Sequence, residues 1–258
     1  MAKYFIYPDP NIYDTSAVTA GTISGSSTKT FTPNTSAITN VGRVTDQNIG
    51  SVISNVAQYD AIRIDLGASS SPNVIAFYHT AADTNNLEIA ASNSATSYTT
   101  SDHVLSVSDD FTAGWVAHDI TVSSKEYLFI YNSTADDWNY LAEIVVGTKY
   151  TFDRNYDLGG EFGAEFGVSN LESYGGIEYS HKRYGKKNTW KLEWTRLTNA
   201  QMNSLLSLRD AVEGSRFKFI YYDDSAFYWV RMSDKSLQKK EIAYQTFNTT
   251  INLKEQIA

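Results

Sequence analysis

Apolar and polar residues alternate in short runs along most of the chain, and one stretch alone follows a helical period. Residues 61–67 place Ile62, Ile64 and Leu66 on one face with Arg63 and Asp65 between them, the pattern of a half-buried strand. Pro72 and Asn73 turn the chain into residues 74–78, apolar on both faces, and further strands are predicted over 87–89, 115–122, 127–131 and 140–146. Clusters of turn-forming residues at 68–71, 83–86, 108–110 and 132–137 separate them. Many short strands with polar turns between them predict a β-sandwich or barrel from Ile38 to Gly147.

After Gly147 the pattern changes. A tetrad is duplicated, Gly160-Glu161-Phe162-Gly163 followed by Ala164-Glu165-Phe166-Gly167, so that in a strand Phe162 and Phe166 share one face and Glu161 and Glu165 the other. Its glycines read as strand positions admitting close packing. Strands are predicted over 176–183 and 190–196, with Trp190, Leu192 and Trp194 inward, and a hairpin joins 217–222 to 227–232 across Asp223-Asp224-Ser225-Ala226. The last strand, 245–253, turns Phe247, Thr249, Ile251 and Leu253 inward. Between them lies the helical stretch. Thr198 and Gln201 form a capping box, Met202, Leu205, Leu206, Leu208 and Val212 form its apolar stripe, and Gly214 sits where a left-handed stop is expected.

The first residues are less regular. Lys3 to Tyr7 is a short aromatic strand that needs a sheet to join, in its own chain or a neighbour's, and residues 15–40, dominated by Ser, Thr, Ala and Gly, read as an extended arm. The expected organisation is residues 1–35 as a strand and arm packing with the C-terminal module, 36–148 as a sandwich, and 149–258 as a β-rich module holding a helix over 198–213.

Charge sharpens this division. Residues 1–147 carry 5 Lys+Arg against 15 Asp+Glu, whereas 148–258 carry 16 against 14, consistent with the overall net charge of −8. The acidic front half argues against nucleic-acid recognition, which needs clustered cations. No window approaches eighteen consecutive apolar residues, so no membrane insertion is expected, and the N-terminus lacks the apolar core of a secretory signal. Without cysteine there are no disulfides or thiolate sites, and His79, His103, His118 and His181 never fall three or four apart. Nucleophile-elbow, zinc-protease and phosphate-loop motifs are absent, so the chain is not expected to be an enzyme.

Two binding chemistries remain. Asp109-Asp110, Asp136-Asp137 and Asp223-Asp224 suit either calcium or plain turns. A sugar platform needs an exposed aromatic ring beside polar groups, for which Tyr98, Trp138 and Tyr140 with Asp136 and Asp137 are the candidates; Trp138 alternatively plugs the end of the sandwich.

The segments 64–67, 87–93, 127–130 and 142–147 together resemble the discoidin (F5/8 type C) family of galactose-binding-like jelly rolls. That resemblance implies a structural calcium between an early loop and the glutamate of the last strand, here Asp46, Asn48 and Glu143. The run Phe227-Tyr228-Trp229-Val230-Arg231-Met232, the terminal strand ending Leu253-Lys254-Glu255, the segment 194–197 and the capped helix are similar to the distal tail and minor tail proteins of tailed bacteriophages. The resemblance implies a virion protein made in the host cytoplasm. It would form a homo-oligomeric ring, a hexamer by analogy, that continues the tail tube and contacts tube, hub and fibre proteins. The fold class expected is thus mainly β: a jelly-roll sandwich plus a β-rich tail-tube-like module with one α-helix. The alternative is an adhesin-like module that attaches to a host surface glycan.

Overall fold

The computed structural model describes residues 3–8, 18–34, 38, 45, 59–111, 113–133, 140–152, 155–157, 160–172, 174, 176, 178–234 and 237–256. The chain is mainly β, and it divides into two compact units, Ile6–Lys149 on the one hand and Met1–Phe5 with Tyr150–Ile257 on the other. The divisions fall inside strands β1 (Tyr4–Pro8) and β11 (Leu141–Thr151). No described helix is long and apolar enough to cross a membrane.

The first unit is an antiparallel sandwich. Its larger sheet uses β2 (Val18–Ser24), β3 (Thr28–Pro33), β4 (Asp60–Ser70), β6 (Asp83–Ser92), β7 (Ser97–Thr99), β8 (His103–Phe111) and β10 (Lys125–Asn132), in the order β7-β3-β2-β4-β10-β6-β8. The facing sheet runs β11-β5-β9, with β5 at Val74–His79 and β9 at Gly114–Asp119. Period-two alternation decides which residues meet. Ile62, Ile64 and Leu66 of β4, Ile89 of β6 and Leu128 and Ile130 of β10 join Ile75, Phe77, Ile144 and Val146 in one core. The intervening residues Ala61, Ala90, Phe129 and Tyr131 face the other way and form a second cluster with Ile23, Phe31 and Tyr98.

Two expectations are corrected here. Residues 18–33 are not an arm associated with the C-terminal module: β2 and β3 form a hairpin, and β2 pairs residue by residue with β4, Val18 opposite Ile64 and Ala20 opposite Ile62. Their Ser/Thr/Gly composition hid the strands, whereas Val18, Ala20, Ile23 and Phe31 supply enough apolar surface to hold them. Asp109 and Asp110 are not turn residues either, because β8 pairs through them with Asn85 and Thr84 of β6.

The second unit orders β12 (Glu161–Glu172), β13 (Glu178–Thr198), β17 (Thr246–Glu255), β15 (Phe227–Met232) and β14 (Phe219–Tyr222) into an antiparallel sheet, with β16 (Lys240–Ala243) also paired to β17. Helix α1 (Asn199–Ala211) is capped as expected, the Thr198 N–H donating to Gln201 Oε1 at 3.0 Å and the Gln201 N–H to Thr198 Oγ1 at 3.3 Å. It ends through Glu213 and Gly214, at φ 48° and 69°, with the Gly214 N–H donating to the Arg209 carbonyl. Its buried stripe includes Met202, Leu205 and Leu208. The core of this unit is aromatic: Phe5 lies 4.7 Å edge-on from Phe152 and 5.3 Å from Phe219, while Trp190 lies 5.7 Å from Tyr221. The strands predicted over 176–183 and 190–196 are one continuous strand, β13, running through Gly185.

Candidate functional site

The residues expected to form a sugar platform are not brought together. Tyr98 is buried rather than exposed, 5.1 Å from the Phe129 ring and 6.4 Å from Tyr131. The cause is tertiary. β7 pairs with β3 and lays Tyr98 over the apolar residues on the outer face of the larger sheet, and burial pushes its hydroxyl well above the usual tyrosine range. Tyr140 is exposed, and its carbonyl accepts a hydrogen bond from the Thr80 N–H at 2.9 Å. Asp136, Asp137 and Trp138 lie outside the described residues, as do Asp46 and Asn48. Of the positions implied for calcium, Glu143 alone is described, fully buried in β11 opposite Tyr78. A single described position is no donor set, and no chemistry is derived through the ion. His79, also fully buried, sits opposite Leu141, and burial lowers its pKa to about 4.

The most distinctive surface belongs to the hairpin β12–β13. Thr189 to Thr198 of β13 pair with β17, but from Asn188 outward β13 pairs only with β12, through Phe166 opposite Lys186 and Leu171 opposite Tyr179. The two strands therefore run on alone for roughly 30 Å at about 3.3 Å per residue. A pair of strands without a third strand or a covered apolar face is marginal in water. Yet Phe166, Val168, Leu171 and Tyr179 in this stretch are all more than half exposed, as is Phe162 nearer the third strand. Sequence reasoning put Phe162 and Phe166 on a common face; their exposure was not visible, because alternation within one strand does not say what covers either face.

The glycines of the duplicated tetrad admit close neighbours, as expected. A Cβ on Gly167 would lie 2.3 Å from the Tyr184 ring, and one on Gly163 would lie 2.9 Å from the Thr189 hydroxyl. Polar contacts also brace the hairpin: Ser180 donates to Asn170 Oδ1 at 2.8 Å, and the Arg183 guanidinium to the Ser169 hydroxyl at 3.3 Å. On β13 this stretch carries Lys182, Arg183, Lys186 and Lys187 against Glu178, a cationic strand in a chain of net charge −8, while β12 carries Glu165 and Glu172. The arrangement has no converging nucleophile and base. What it offers is an exposed projection that carries apolar and cationic side chains.

No family model matches the sequence, and no curated protein matches it. Solved structures share part of its chain path. A CBM32 module of AlyQ in complex with 4,5-unsaturated mannuronic acid is 20% identical, with a TM-score of 0.38 over 52% of this chain and 95% of its own. The family 32 CBM from C. perfringens NanJ in complex with galactose is 17% identical, with a TM-score of 0.35 over 56% of this chain and 98% of its own. Chitosan-binding module 1 of a Paenibacillus sp. IK-5 chitosanase/glucanase is 19% identical, with a TM-score of 0.34 over 50% and 92%. Similarity at this level assigns neither a ligand nor a family to this chain.

Proposed function

We propose that the chain is an assembly-forming structural protein, of the kind that builds the tip of a phage tail, in which the unit containing the helix joins copies into a ring and the sandwich is carried as a module for contacting other tail proteins or fibres. The exposed apolar side chains on the two sides of the β12–β13 hairpin carry this reading. Such side chains are most simply covered by another protein surface, and the cationic outer strand suits a second copy of a chain with 29 Asp+Glu against 21 Lys+Arg. Contact of a hairpin with a different surface on the next copy is heterologous, and such contacts give a ring where the rotation closes and an open filament where it does not, in neither case a two-fold dimer.

Native mass spectrometry and negative-stain imaging of the full chain test this directly. Wild-type protein is expected as a closed ring, and the triple variant Phe166→Ser, Leu171→Ser, Tyr179→Ser as a folded monomer with the urea midpoint of wild-type protein diluted until the ring dissociates. A wild-type protein that stays monomeric at every concentration and ionic strength would end this reading.

One observation favours a second reading, glycan binding by the sandwich: Tyr140 presents its ring to solvent directly after the acidic, Trp-containing sequence 135–139. On a glycan array the full chain is then expected to bind a defined sugar and Tyr140→Ala to lose most of that signal. Absence of binding by wild-type protein would leave the assembly role alone.

A further inference from the structure

At the root of the hairpin three cations gather around one carboxylate. Lys187 of β13, Arg231 of β15 and Lys254 of β17 line an open cleft of about 590 Å³ together with Glu165, Tyr184 and Gln256. Strand register imposes the crowding: Arg231 stands directly opposite Lys254, and Lys187 directly opposite Glu165. Like charges facing each other across a strand pair repel.

The single carboxylate is already engaged. Glu165 Oε1 accepts from Lys254 Nζ at 2.7 Å and from the Tyr184 hydroxyl, and these two bonds hold its carboxyl below the usual glutamate range. The ammonium groups of Lys187 and Lys254 lie 4.8 Å and 5.6 Å from the centre of the Tyr184 ring. Arg231 Nε is buried and makes no hydrogen bond among the described residues. The cleft thus holds three cationic side chains against one carboxylate that is already engaged.

We propose that the cleft binds a carboxylate group, and that in the assembly an Asp or Glu side chain of a second copy supplies it. The source of the carboxylate rests on the assembly reading above, but the chemistry of the cleft does not. A guanidinium grips a carboxylate through two parallel hydrogen bonds, and the two ammonium groups add point charges at its rim. The second copy is favoured by the chain's own composition, because residues 1–147 contain 15 Asp+Glu with only 5 Lys+Arg, Asp60 and Glu143 among them being buried. The cleft and the hairpin lie on the same β12–β13 element, so a copy that covers one is well placed to insert a side chain into the other.

Citrate serves as the free carboxylate probe. Isothermal titration of the full chain is expected to show saturable citrate binding, weakened at least about tenfold in Arg231→Gln and in Lys187→Gln, while Arg209→Gln on the helix binds as wild type. Citrate is further expected to dissociate the assembly at an ionic strength where sodium chloride does not. Binding that is unchanged in both cleft variants overturns the site. Binding lost in the variants, in a protein whose assembly ignores citrate, overturns the second copy as the source. If the wild-type chain proves monomeric yet binds citrate through Arg231 and Lys187, the assembly reading fails and the carboxylate site stands.

Discussion

Replacing Trp194 with alanine is expected to lower the stability of the C-terminal unit by about 3–5 kcal/mol, the range for removing a large aromatic side chain from a packed core. Trp194 is only 2% exposed. Its ring meets Phe152 edge-on at 5.5 Å and Tyr156 at 6.0 Å, and its backbone pairs with Thr249 of the central strand β17. Those neighbours come from two segments distant in sequence, 152–156 and β17, so the cavity left by alanine has few ways to collapse. Domains are stable by roughly 5–15 kcal/mol, which puts the variant close to the unfolding threshold. Urea unfolding followed by tyrosine and tryptophan fluorescence measures the loss, and an unchanged midpoint would show that the aromatic cluster does not hold this unit together.

The same experiment separates folding from assembly. Trp194→Ala is expected to lose the ring because the unit that makes it is destabilised. The hairpin variant is expected to lose it while keeping the urea midpoint of dissociated wild-type chain, since Phe166, Leu171 and Tyr179 are exposed in the isolated chain and little is forfeited by shortening them. A hairpin variant that unfolds with Trp194→Ala would mean that those residues support the fold instead of a neighbour.

How much could be read beforehand depended on whether a signal was local. Strict alternation fixed the faces of β4 and β17 in advance, because period two leaves one way to bury Ile62, Ile64 and Leu66 or Phe247, Ile251 and Leu253. The helix was equally plain, since its cap, stripe and stop lie within a few residues of one another. Partner choice was hidden. The β2–β3 hairpin carries few large apolar residues, and only its pairing with β4 makes it a strand pair. Tyr98 looks like a loop-tip platform in sequence, but the outward-facing Phe31 and Phe129 give it an apolar bed. For the cleft, Lys187, Arg231 and Lys254 are distant in sequence and meet because β17 pairs with both β13 and β15. No motif marks such a meeting.

Acid is expected to act on the sandwich through His79. The buried imidazole has its pKa lowered from 6.5 to about 4 by loss of solvent, so the folded chain binds this proton only below that value, whereas the unfolded chain takes it up near pH 6.5. The unfolded state therefore gains the proton first as the pH falls. The stability tied to a neutral His79 is fully present above pH 6.5 and drains away toward pH 4, by about 2–3 kcal/mol at pH 4.5. Other carboxylates protonate over part of this window, so the informative quantity is a difference between two proteins. His79→Gln keeps a neutral polar side chain and removes the titration. Its urea midpoint is expected to start lower than that of wild type at pH 7.5, because the replacement is not a perfect fit at a fully buried site, and then to fall less steeply between pH 6.5 and 4.5. Parallel curves across that window would mean that His79 accepts its proton without leaving the fold, and that the interior around β5 and β11 is wetter than its burial implies.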